Sequence, residues 1–225
     1  GIDVSHHNGT INWEQVKASG VDFVIIRCGY GRDERGQDDR QWYRNVSECE
    51  RLGIPFGVYL YSYAKDTDSA RSEAQHVLRL ISGHNLTYPV YYDMEDDSTI
   101  GCDLTSIATT FCNTIKSAGY AVGVYASLSW WNTYLTAPCF GQWYRWVAQY
   151  NSTCKYTGEY AIWQYSSTGR VSGISTDVDM NYLIGYPKDH GAASSINIPD
   201  ETQNIISYSA HVSDIGWMNS VSNGL

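Results

Sequence analysis

The stretch "LGIPFGVYLYS" (residues 52–62) decides the fold. Gly53 suits the end of a helix, and behind it runs a short apolar segment of β-branched and aromatic residues. A glycine there accepts the left-handed backbone that closes a helix, and an apolar run of that length fits a buried strand. The same grammar stands in "SGVDFVIIRCG" (19–29) and in "AGYAVGVYAS" (118–127), with Gly20 and Gly119 in the place of Gly53. Helix, glycine, buried strand, three times over, is the signature of βα repeats.

The segments between these runs read as helices. In "DTDSARSEAQHVLRLIS" (66–82), Ala70, Ala74, Val77, Leu78 and Ile81 recur at helical spacing, and Asp66 or Thr67 can cap the start. Ile107, Phe111, Ile115 and Ala118 mark a second such face, and "NWEQVKAS" (12–19) has capping-box spacing from Asn12 to Gln15. "GIDVS" (1–5) and "YPVYYDM" (88–94) bring the strands of the first 126 residues to five. After Tyr125 the rhythm changes: "RWVAQY" (145–150), "YAIWQYS" (160–166) and "VDMNYLI" (178–184) read as strands without full helices between them. Alternation of this kind makes a parallel sheet with helices outside it. Eight strands, the last three helix-poor, predict a closed α/β barrel.

Composition narrows the function. A chain of 225 residues can bury a full core as one such domain. Its 24 acidic against 15 basic residues leave a formal charge of −9, which argues against nucleic acid or an anionic membrane held by field alone. No apolar run reaches the ~20 residues of a membrane span. The chain starts at Gly1 without a leader, so any export signal is expected to be absent or already removed. The aromatic excess lies in 8 Trp and 19 Tyr against 4 Phe, rings with a polar handle that suit sugar stacking and equally the rim of a core. Six cysteines without CxxC spacing point to neither a zinc knuckle nor a redox motif, and their pairing stays open.

The segment "PVYYDMEDD" (89–97) runs a buried strand straight into acids, at a cost unless they are used. Residues two apart on a strand share a face, so Asp93 and Glu95 are expected to project together while Met94 turns away. Two neighbouring carboxylates do not both ionise freely, and one keeps a proton beside an acceptor. Glycosidic cleavage needs that combination: an acid for the leaving oxygen and an anion for the developing oxocarbenium ion. Asp3 ends the first strand, and Asp177 and Asp179 flank the start of the last one. First and last strands of a closed barrel are neighbours, so acids on strands 1, 4 and 8 are expected to face a common mouth. His6 and His7, next to Asn8, raise the thought of a metal, but two adjacent side chains seldom chelate one ion.

"GIDVSHHNGTINW", "YYDMED" and "IWQYSSTGRVSGISTDVDMNYL", in that order, resemble glycoside hydrolase family 25, the Chalaropsis-type lysozymes. The resemblance implies a flattened TIM-like barrel of (β/α)5(β)3 type over residues 1–186. It further implies cleavage of the β-1,4 bond between N-acetylmuramic acid and N-acetylglucosamine in peptidoglycan, without metal or cofactor. By the same likeness Glu95 matches the proton donor, Asp93 its partner acid, and Asp3 and Asp179 two further acids of the site. Tyr61, Tyr63, Tyr125, Trp146, Gln149, Trp163 and Gln164 resemble cleft positions, while Asp96 and Asp97 look like solvated neighbours. A polar stretch at 187–202 reads as a linker. "YSAHVSDIGWMNSVSNG" within 203–225 resembles the start of a clostridial hydrophobic repeat, with Gly216 and Trp217 as its marker pair. The tail implies an extracellular or wall-associated protein of a Gram-positive bacterium, and a monomer meets every expectation here.

Overall fold

The computed structural model describes residues 1–185; the expected linker and repeat lie outside them. Eight strands close into a barrel in chain order: β1 (Ile2–Val4), β2 (Val24–Tyr30), β3 (Phe56–Tyr61), β4 (Val90–Asp93), β5 (Val122–Ser127), β6 (Tyr144–Ala148), β7 (Ile162–Gly169) and β8 (Val178–Leu183). Neighbours from β1 to β7 pair in parallel, and β8 pairs antiparallel with both β7 and β1. Helices α1 (Trp13–Ala18), α2 (Trp42–Leu52), α3 (Thr67–Ile81), α4 (Leu104–Ser117) and the short α5 (Leu128–Thr133) each follow one of the first five strands. This is the (β/α)5(β)3 barrel expected from the sequence.

Local signals place these elements. Gly53 closes α2 at φ 64°, and its N–H and that of Ile54 return to the last carbonyls of the helix. Asn12 and Asp66 cap α1 and α3 by accepting from the backbone N–H of Gln15 and Ser69. Gly123 does different work inside the barrel, where a Cβ would lie 2.4 Å from the Tyr91 ring and 2.6 Å from the Tyr144 carbonyl oxygen. It makes room for an interior tyrosine.

Strand alternation divides the apolar side chains into two layers. Phe23, Ile25, Tyr88, Tyr91, Tyr125, Tyr144, Trp146 and Ile162 fill the barrel. Val24, Ile26, Val58, Leu60, Val90, Tyr92 and Val124 point outward into a shell closed by the helices. There Tyr92 stacks on Phe111 of α4 with ring centres 3.8 Å apart. The shell also encloses Glu73, whose carboxylate accepts from the hydroxyls of Ser62 and Tyr92 and from the N–H of Tyr63. It ties α3 to the segment leaving β3. The six cysteines are free thiols, with Cys28, Cys49 and Cys112 buried.

Candidate active site

The carboxyl ends of parallel barrel strands open on one face, and an antiparallel β8 brings its beginning to that same face. Asp3 on β1, Asp93 at the end of β4 and Asp179 near the start of β8 therefore meet at one mouth, with Glu95 just beyond β4. Asp3 and Asp179 are direct partners across β1 and β8. The regular strand stops at Asp93, but the N–H of Met94 still donates to Tyr125 O at 3.0 Å. That one further step turns Met94 into the outer shell and Glu95 back toward the mouth.

The acids sit in two unlike settings. Asp3 is buried, and its Oδ2 accepts from Gln164 Nε2 and Asn181 Nδ2, each at 2.8 Å. The two amides are held in turn. Trp146 Nε1, which can only donate, donates to Asn181 Oδ1 at 2.8 Å, so the amide nitrogen faces Asp3. Tyr125 and Tyr150 donate their hydroxyls to Gln164 Oε1 at 2.9 and 3.1 Å. Burial and the neighbouring Asp179 raise the Asp3 carboxyl to about 8, and burial raises Asp179 as well. Each carboxyl makes the other costlier to ionise.

Asp93 is 4 % exposed, yet its Oδ1 has no hydrogen-bond partner. Burial first, and then the charges of Glu95 and Asp3, push its carboxyl well above the usual range, with the Arg27 guanidinium pulling the other way. Glu95 is half-buried, and its Oε2 accepts from Ser127 N at the end of β5 at 3.0 Å. Burial raises its pKa against that hydrogen bond. With Oε2 occupied, Oε1 is the oxygen left to carry a proton.

Around these acids the structure gathers some of the expected side chains and separates others. Tyr61 ends β3 beside Asp93 and donates its hydroxyl to Asp96 Oδ2 at 3.2 Å, while its ring lies 5.0 Å from that of the exposed Tyr63. Tyr125 and Gln164 line the mouth from within. Trp146 lies below it, 1 % exposed, with its indole occupied by Asn181; its large ring fills the barrel rather than a cleft wall. Trp163 faces outward, because its strand neighbours Ile162 and Gln164 face in, and it packs against Tyr165 and Tyr182. Gln149 turns its side chain to the following loop, accepting from Lys155 N at 2.6 Å. Asp96 is more than a solvated neighbour, since it also caps the short helical turn 97–99 by accepting from Ser98 N. Asp177 pairs with Arg170 at 2.8 Å on the surface.

Four residues around the site go beyond the sequence reading. Arg27 hides as one charge in an apolar run, and its partner Asp39, at 2.8 Å, lies in a loop. Asn181 is two residues beyond Asp179 and so on its face of β8, which is a usable signal. Tyr150 follows β6 and reaches back over the mouth to Gln164.

Comparison with known proteins points one way. The model of the glycosyl hydrolases family 25 matches residues 2–174. Lysozyme M1 of Streptomyces globisporus is 31% identical over 208 residues, which cover 82% of this chain and 67% of that protein. The modular autolysin LytC of Streptococcus pneumoniae, also solved in complex with a synthetic peptidoglycan ligand, is similar in structure with a TM-score of 0.72 and 36% identity. The match covers 80% of this chain and 45% of the autolysin. A lysozyme from Streptomyces coelicolor superposes with a TM-score of 0.65 at 28% identity, over 82% of this chain and 91% of that one. The chain thus spans less than half the length of the pneumococcal relative.

Proposed function

The chain belongs to glycosyl hydrolase family 25, and from that premise we propose that it is a lysozyme-type glycoside hydrolase, an N-acetylmuramidase acting on bacterial peptidoglycan. The bond cleaved is the β-1,4 link from N-acetylmuramic acid to N-acetylglucosamine. Glu95 gives its proton to the leaving oxygen, and Asp93 works on the muramyl side. The observation that carries this reading is the unpartnered Oδ1 of a buried Asp93 next to Glu95, whose carboxyl burial holds above its usual range.

A buried acceptor without a donor is costly, so it is suited to a donor that the substrate brings. The acetamide N–H of muramic acid is such a donor. Before it arrives, Asp93 and Glu95 compete to hold a proton, since each raises the other's cost of ionising. A hydrogen bond from the acetamide stabilises ionised Asp93, which leaves the proton on Glu95, the state a general acid requires. The acetamide oxygen then attacks the anomeric carbon as the glycosidic C–O bond breaks to the oxygen that Glu95 protonates, while Asp93 orients the group and balances its growing positive charge. Water, giving up a proton to Glu95, opens the resulting oxazolinium ion. Trapping a covalent glycosyl-aspartate at Asp93 would overturn this substrate-assisted route. Peptidoglycan lies outside the cell membrane, so the protein acts at an extracellular or wall location, as a monomer.

The test is to digest Gram-positive peptidoglycan with the protein and with Glu95→Gln, reduce the products with borohydride, and identify the reduced sugar by mass spectrometry. Reduced muramic acid from the native protein alone is the expected result. Reduced glucosamine would reassign it as a glucosaminidase. Sedimentation with the wall without new reducing ends would make the barrel a binding module.

A further inference from the structure

On the β2–β3 side of the mouth lies a cavity of about 340 Å³ lined by His6, His7, Arg27, Tyr30, Tyr61 and Tyr63. No carboxylate lines it, in a chain of net charge −9 whose acids crowd the adjoining mouth. Arg27 is nine-tenths buried. Its Nε donates to Asp39 Oδ2 at 2.8 Å and its Nη2 donates to His6 Nδ1, which leaves the N–H groups of Nη1 for whatever enters the cavity. Asp39 does not compete for them, because it is enclosed and also accepts from the N–H groups of His6 and Gln41. It fixes the guanidinium in place. Tyr30, Tyr63 and Tyr61 form one wall, each ring in contact with the next at 6.3 and 5.0 Å.

A buried, oriented guanidinium beside an aromatic wall suits a planar anionic acceptor. A cation is repelled there, and a bare sugar hydroxyl does not need the charge. The position identifies the anion. Tyr61 of the cavity is the cross-strand partner of Asp93, and adjacent strands lie ~4.8 Å apart. With Asp93 holding the acetamide on C2 of muramic acid, the lactyl ether on C3 leaves the ring next to it. We propose that the cavity takes a carboxylate of the peptide carried on that lactyl group, bound by Arg27. This rests on the muramidase reading and extends recognition from the glycan to its peptide.

The test compares one soluble muropeptide oligomer in two forms, with the peptide carboxylates free and with them converted to amides. Hydrogen bonds to charged groups contribute enough for the native protein to prefer the free acid by about tenfold in kcat/KM, read mainly in KM. Replacing the buried pair together, Arg27→Gln with Asp39→Asn, avoids stranding one charge and is expected to bring the ratio close to one. Equal rates on both forms with the native protein would overturn the inference alone, as would a preference that survives in the double variant. Failure to release reducing ends from either form would overturn the muramidase reading and this inference with it.

Discussion

Two carboxyl pairs share the mouth of this barrel, and they are finished differently. Asp3, paired with Asp179, has its buried oxygen satisfied by two amides, each of which is oriented by an aromatic donor. Asp93, paired with Glu95, is as deeply buried and has an oxygen with nothing to accept. A folded chain seldom leaves such a group bare, so the contrast separates an acid whose surroundings are complete from one whose surroundings await a ligand. On the proposed function, Asp3 with Asp179 is a positioned charge, and Asp93 with Glu95 is the reacting pair.

The sharpest way to break this distinction is to neutralise one acid of each pair. On the proposed roles Glu95→Gln removes the proton donor, and loss of general acid catalysis predicts a fall in kcat of about 10²–10⁴-fold with binding to the wall retained. Asp93→Asn offers the acetamide a group that both donates and accepts; about a 10²-fold loss is expected, read in kcat on the same digest. If Asp3→Asn costs as much as Glu95→Gln, the two pairs are equivalent and the division fails.

The pH dependence of stability tests the cost of the Asp3 charge. The Asp3 carboxyl is raised from 3.8 to about 8, so the folded state binds more protons than the unfolded one in between. Its contribution is fully present below about pH 4 and is lost as pH rises toward 8. In Asp3→Asn the Oδ1 still accepts from Gln164 and Asn181, and the new N–H group meets Asp179 as a donor instead of a like charge. The variant is therefore expected to gain several kcal/mol over the native protein at pH 8 and almost nothing at pH 4. Denaturant unfolding at the two pH values measures both.

Much of this arrangement is legible in the sequence. The strands of a parallel barrel are buried on both faces, so "FVIIRCG", "PFGVYLY" and "AVGVYAS" announce themselves, and the acids stand on other strands of the same barrel, in "GIDVS", "YPVYYDM" and "VDMNYLI". The rings are harder. Trp163 and Gln164 are adjacent on one strand and cannot both face the mouth, so alternation alone assigns one of them outside. Trp146 is on the inner face, but whether an inner ring lines the cleft or fills the barrel depends on depth, which sequence does not carry. Arg27 and Asp39 are joined only by the closing of the loop between β2 and α2. Tyr150 lies beyond the last regular residue of β6, where period gives no direction.

Tyr150 offers the smallest and finest test. It is largely exposed, yet its hydroxyl donates to the same Gln164 oxygen that Tyr125 serves from the interior. Tyr150→Phe deletes the outer of two donors and keeps the ring over the mouth. Because water can replace that hydroxyl, the stability change is expected to stay near 0.5 kcal/mol, at the low end for a hydrogen bond. Tyr125→Phe, at a site 7 % exposed where water has little access, is expected to cost ~1–2 kcal/mol. Equal losses in thermal unfolding would mean that the outer donor matters as much as the inner one to the orientation of Gln164. The completeness of the Asp3 surroundings would then depend on a residue at the surface, where an arriving glycan could displace it.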